Sequence, residues 1–171
     1  MEFMRIDIEM WKTIKPDVNL VDIREILKGA KINKGSVETI KALREKGVKT
    51  CIISGGIDLI ADEVGKACGV DRVMANGIEA DENGKLTGEG ILRVHLRDKA
   101  RTIRQMCKEF NVAPERCAAV GNSWVDIPMF DVVAFSIAFN PIDGETITAA
   151  NVTVESDDLR DILPHLDPSF E

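Results

Sequence analysis

Short β-branched apolar runs recur along this chain and alternate with segments of helical periodicity, and that alternation constrains the fold more than any other feature. GVKTCIIS (47–54) halts at Gly55-Gly56, and VDRVMAN (70–76), RCAAVGN (116–122), AFSIAFN (134–140) and VTV (152–154) are further strand candidates. Runs this short and apolar suit strands buried on both faces, as in a parallel sheet. Between them, GSVETIKALREKG (35–47) carries Val37, Ile40 and Leu43 on one side, and IDLIADEVGKACGV (57–70) carries Ile57, Ile60, Val64 and Cys68. These segments, with LRDKARTIRQMCKEFNV (96–112) and DDLRDILPHL (157–166), read as helices. Helices alternating with buried strands predict an α/β fold, a Rossmann-like parallel sheet with right-handed crossovers. Residues 77–94 break the pattern: Asn83-Gly84 between short alternating segments predicts a small β-hairpin. The first 34 residues hold two helix-like pieces broken near Pro16, where an open α/β fold should start with a strand.

A chain of 171 residues is long enough to bury a core as one domain. With 44% hydrophobic and 30% charged residues it reads as globular rather than disordered. No apolar run approaches the roughly 20 residues that span a membrane. The opening MEFMRIDIEMWK has internal acids and no small-residue cleavage site, so it is a poor signal peptide and a cytoplasmic location is expected. A net charge of −7 argues against a general nucleic-acid binder, although a few cations and backbone N–H groups can still hold a small anion. Cys51, Cys68, Cys107 and Cys117 match no zinc or CxxC spacing. Cys51 and Cys117 lie inside apolar runs and are expected to be buried, inert thiols.

Ligands of open parallel sheets gather at the carboxyl ends of the strands, and three places there carry polar groups. Ser54-Gly55-Gly56 joins a strand to a helix: a hydroxyl, bare backbone N–H groups and a helix N-terminus suit an anion, while a purely structural turn reads the same way. Lys99 opens a helix, where a cation is disfavoured unless an anion sits nearby; otherwise it is a solvated lysine beside Arg97 and Asp98. Gly121-Asn122-Ser123-Trp124-Val125-Asp126 follows a strand, with Asn122 and Asp126 four apart. Their oxygens suit Mg2+, which keeps several waters and takes one or two carboxylates; an Asx turn and a helix cap explain them equally. His95 and His165 have no partner at catalytic spacing and read as solvated.

Taken together and in order, these motifs resemble those of the haloacid dehalogenase superfamily, nearest to its phosphoserine phosphatases. Ser54-Gly55-Gly56 is similar to the second family motif, Lys99 to the third and GNSWVD to the fourth, and the likeness extends over residues 30–166 through INKGSVETIKALREKG, ENGKLTGE and PMF. The resemblance implies a haloacid dehalogenase core over residues 30–171, preceded over residues 1–29 by a remnant of a helical cap. It also implies Mg2+-dependent hydrolysis of a small phosphorylated metabolite through an aspartyl-phosphate. Ser54 would bond a phosphate oxygen with Gly55 and Gly56 beside it, Lys99 would pair with nucleophile and phosphate, and Asn122 and Asp126 would hold the metal or its waters.

The first family motif, DxDx(T/V), occurs nowhere in the chain, and Asn122 stands where relatives usually carry aspartate. Arg5 is the nearest, off-register counterpart of the arginine that binds the substrate carboxylate. The expectation is a phosphatase that begins too late, lacks its first strand and nucleophile, and is inactive as written, with exposed sheet edges that favour self-association. Two other readings stand beside it. Met4, Ile6, Ile8 and Met10 alternate with Arg5, Asp7 and Glu9, so a strand presenting Asp7 as nucleophile is one. A non-catalytic phosphate-ligand binding or regulatory protein is the other.

Overall fold

The computed structural model describes residues 2–166; Met1 and residues 167–171, the outer ends of the expected segments 1–29 and 30–171, lie outside the described residues. Chain order is α1 (Glu2–Ile14), α2 (Leu20–Leu27), α3 (Ser36–Glu45), β1 (Cys51–Ile57), α4 (Asp58–Cys68), β2 (Arg72–Ala80), β3 (Leu86–Ile91), α5 (Lys99–Phe110), β4 (Ala118–Gly121), α6 (Ile127–Phe130), β5 (Phe135–Phe139), α7 (Gly144–Ala149) and β6 (Val152–Val154). Short 3-10 helices cover Pro114–Arg116, Trp124–Asp126 and Leu159–His165. The last of these is tighter than the α-helix expected over 157–166. Pro164 lies inside it and has no N–H to continue an α-helical ladder.

The strands form two three-stranded sheets instead of one, ordered β1-β2-β3 and β4-β5-β6. β1–β2, β4–β5 and β5–β6 are parallel, as the buried apolar runs predict, and β2–β3 is antiparallel. β2 is longer than expected because it runs straight from the parallel sheet into the hairpin, whose turn is closed by Asp81 Oδ1 accepting from Asn83 N and Lys85 N, both at 2.9 Å. β5 is central and its residues 136–139 are buried, while β4 alternates, with Ala118 and Val120 open to solvent.

One helix, α5, packs against strands of both sheets. Its Ile103 and Cys107 join Ala119, Met129, Phe130 and the half-buried Ile53 in one cluster, and its Met106 joins Met74 and Val94 in another. On the far side, Leu159 N donates to Lys34 O at 2.8 Å, and Asp158 takes Lys34 and Arg160, tying the segment after β6 to the start of α3. No helix among the described residues is long and apolar enough to cross a membrane.

Two sequence expectations need correction. Residues 4–10 are helical, not extended. Met4 and Ile8, one turn apart, are 3% and 1% exposed and pack with Val18, Ile23, Leu59, Ile78 and Leu86. That continuous apolar stripe, completed by Trp11, outweighs the two-residue alternation. Asp7 is exposed on a helix flank and does not stand at a strand end, so the strand that would have presented it as nucleophile is absent. Cys51 is exposed and Cys117 only half-buried, whereas Cys68 and Cys107 are buried. Cys51 opens β1, whose second edge has no strand beside it among the described residues, so an apolar run here does not guarantee enclosure.

Candidate active site

The first site element is a break in pairing. Ile53 pairs with Met74 and Ile57 with Asn76, so Ser54-Gly55-Gly56 bulges opposite the single residue Ala75. Within the bulge, Gly56 N donates to Ser54 Oγ at 3.1 Å, which leaves the hydroxyl proton free to donate elsewhere. Gly55 is buried, and a Cβ there would stand 2.1 Å from Leu96 Cδ2, so any larger residue must displace the Leu96 side chain. Leu96 is three residues ahead of Lys99, and the contact places the bulge against the approach to α5.

Lys99 is the first residue of α5, after Asp98, whose side chain accepts from Arg101 N at 3.2 Å. Its ammonium donates to Asp126 Oδ1 at 2.6 Å, and the two side chains are 7% and 8% exposed. The unfavourable position of a cation at a helix N-terminus is thereby explained: a buried carboxylate faces it. Asp126 Oδ2 accepts from Asn122 N at 2.9 Å and Ser123 N at 3.3 Å, which fixes the carboxylate against its own loop. Gly121 makes room for it, since a Cβ at that position would lie 2.4 Å from Asp126 Cβ. Trp124 N donates to Asp143 Oδ2 at 2.9 Å, and that carboxyl is held below its ordinary value chiefly by the Thr146 hydroxyl and by backbone N–H groups.

Lys99 and Asp126 are therefore joined directly, and the Ser54 bulge touches the same neighbourhood through Leu96. Asn122 contributes its N–H to Asp126 while its side chain is exposed. Arg5 is engaged elsewhere: Nε and Nη2 donate to Glu89 Oε2 at 2.8 and 2.7 Å, binding α1 to β3. His95 and His165 are exposed. Sequence reasoning missed Asn76, a fully buried polar residue in mid-strand. Its signal was its type, since asparagine is depleted in strands and needs a reason to be there.

For Mg2+, the chain offers Asp126 and the Asn122 amide oxygen, a hard-oxygen set of the right kind. Three hydrogen bonds already occupy the Asp126 carboxylate, and among the described residues no three His, Cys, Asp or Glu side chains group to hold a metal. The residues present fit part of a Mg2+ shell, in which waters or a further carboxylate would supply the remaining oxygens.

Comparisons with known proteins bear on the family and the fold. A haloacid dehalogenase-like hydrolase model matches residues 1–131. A phosphoserine phosphatase of Idiomarina loihiensis is 34% identical over 143 residues, covering 83% of this chain and 64% of that protein. A phosphoserine phosphatase of Archaeoglobus fulgidus is 31% identical over 119 residues, covering 69% of this chain and 34% of that protein. The chain thus spans between about a third and just under two thirds of the length of these relatives. A solved phosphoserine phosphatase described as a phospho-aspartyl intermediate analogue superposes with a TM-score of 0.80 at 28% identity, over 88% of this chain and 72% of that one. On the family match, the shared fold and the order of its motifs, this chain belongs to the haloacid dehalogenase-like hydrolases and is similar to their phosphoserine phosphatases.

Proposed function

We propose that this chain carries the phosphate-binding and charge-neutralising part of a Mg2+-dependent phosphomonoesterase site, with a small phosphorylated metabolite such as phosphoserine as substrate. The observation that carries it is the buried Lys99–Asp126 pair set beside a bulged Ser-Gly-Gly strand end. In this reading the Ser54 hydroxyl donates to a phosphoryl oxygen, and the bulge and the start of α4 present backbone N–H groups to the same anion. Lys99 supplies fixed positive charge in a poorly solvated place, where it acts on a phosphoryl group more strongly than in water. Asp126 holds Lys99 in register, and with Asn122 it is the chain's contribution to the metal shell. Bound Mg2+ would neutralise charge on the phosphoryl oxygens.

The same reading assigns the aspartate nucleophile to a strand outside this sequence, seated between β1 and β4. Three facts support it. DxDx(T/V) does not occur in the chain, β1 and β4 are both terminal strands of their sheets, and α5 packs on Ile53 of one and Ala119 of the other. The solved relative described as a phospho-aspartyl intermediate analogue is consistent with such a nucleophile.

Titration of the 171-residue chain with inorganic phosphate, followed by amide NMR, tests the binding part. The expected result is saturable shifts confined to the Ser54–Ile57 and Lys99 amides, lost in Lys99→Met. Shifts elsewhere, or none, would contradict it.

A further inference from the structure

Asn76 has no exposed surface, and all four hydrogen-bonding directions of its side chain are used. Nδ2 donates to Gly55 O at 2.9 Å and to Val94 O at 3.1 Å. Oδ1 accepts from Arg93 N and Val94 N, both at 2.8 Å. One side chain therefore stitches three backbone segments: the Ser54-Gly55-Gly56 bulge, β2 and the segment leading to Lys99. The bulge is the reason it is needed, because strand pairing that skips from Ile53 to Ile57 leaves the Gly55 carbonyl without a ladder partner.

Gly55 O and Gly56 N belong to one planar peptide unit. Asn76 holds that plane by its oxygen, and Ser54 Oγ takes its N–H at 3.1 Å. The plane's orientation sets which way the Ser54 hydroxyl points its remaining proton. On the other side, Val94 is fully buried, and Arg93 Nη1 donates to Ala75 O at 3.0 Å and to Asp58 Oδ2 at 2.8 Å, so the partner segment is itself anchored.

We infer that Asn76 is a positioning residue. By fixing the Gly55–Gly56 peptide it orients the Ser54 hydroxyl toward a bound phosphoryl group, and through Val94 it holds this loop in register with the approach to Lys99. The inference rests on the phosphate-site reading above, and it predicts loop behaviour that is measurable without any ligand.

Asn76→Asp separates donor from shape. The ionised carboxylate still accepts from Arg93 and Val94 but cannot donate to Gly55 O, whereas the protonated acid has one O–H to give to Gly55 O, at the expense of the bond to Val94 O. Burial raises such a carboxyl's pKa, which brings its titration within reach of mildly acidic buffers. In the ligand-free chain, Gly56 amide exchange, corrected for intrinsic rate, should rise about tenfold over the native chain near pH 8 and return close to native near about pH 5.5. Inorganic phosphate affinity relative to the native chain at each pH should follow the same course. If the native chain binds no phosphate, the phosphate-site reading fails while Gly56 exchange still decides the role of Asn76. Asn76→Ser, too short to span to Gly55, is the second variant should the aspartate fail to fold, and it should loosen Gly56 at both pH values. A folded variant with native-like Gly56 exchange at the higher pH would overturn the inference.

Discussion

The Lys99 ammonium lies 2.6 Å from Asp126 Oδ1, and both side chains are almost sealed from water. Such a pair is costly to bury and more costly to break, because removing one partner strands the other as an uncompensated charge. Lys99→Met and Asp126→Leu singly should each destabilise the chain by about 3–5 kcal/mol, and the double variant should recover much of that loss. Urea denaturation of the four proteins checks this, and additive losses would mean that the pair is not coupled.

Gly121 and Gly84 separate two reasons for glycine. A Cβ at Gly121 would meet Asp126 Cβ at 2.4 Å, whereas at Gly84 it would meet nothing within 4 Å but would sit at φ +79°. Gly121→Ala should cost about 1–3 kcal/mol by overpacking and shift the Asn122 and Ser123 amides. Gly84→Ala should cost about 1 kcal/mol through its left-handed backbone and leave those amides unchanged. Thermal melts and amide spectra distinguish the two.

On α1, Ile8 is 1% exposed and Ile14 is 85% exposed. Ile8→Ala should cost about 2–5 kcal/mol, because it opens a cavity among Met4, Leu86 and Ile78. Ile14→Ala should fall within about 0.5 kcal/mol of the native chain. Equal effects would mean that α1 is not docked on the hairpin.

Acid should unfold the chain through particular carboxylates. Asp71 is held below the ordinary range first by the Lys49 ammonium and then by Thr50 N, and Asp158 is held well below it, first by Arg160. Lowered folded values mean that the stabilisation is present above the unfolded carboxyl pKa of about 3.9 and is lost as pH falls through the folded values. Urea midpoints should therefore hold between about pH 7 and 5 and drop below about pH 4, with a shallower drop in Asp71→Asn.

Much of this was legible in the sequence, for identifiable reasons. β5 and β6 follow directly from short apolar runs, and the hairpin follows from Asn83-Gly84. Lys99 was visible as a cation at a helix start, and the structure supplies its partner. The division into two sheets was not legible, because periodicity reports whether a strand is buried and says nothing of which edge is paired. Residues 4–10 satisfy both periods, and only the hairpin surface beneath Met4 and Ile8 decides for the helix. Asn76 offered only its residue type as a signal, because its role depends on a bulge in the neighbouring strand, which no local pattern encodes.

The most direct test of the central claim is phosphate release from phosphoserine in Mg2+, by the 171-residue chain alone and by the chain co-expressed with a strand bearing the DxDx(T/V) motif. The account predicts no Lys99-dependent turnover from the chain alone and Lys99-dependent turnover once the strand is supplied. Lys99-dependent turnover by the chain alone would contradict it, since the nucleophile would then lie among these residues.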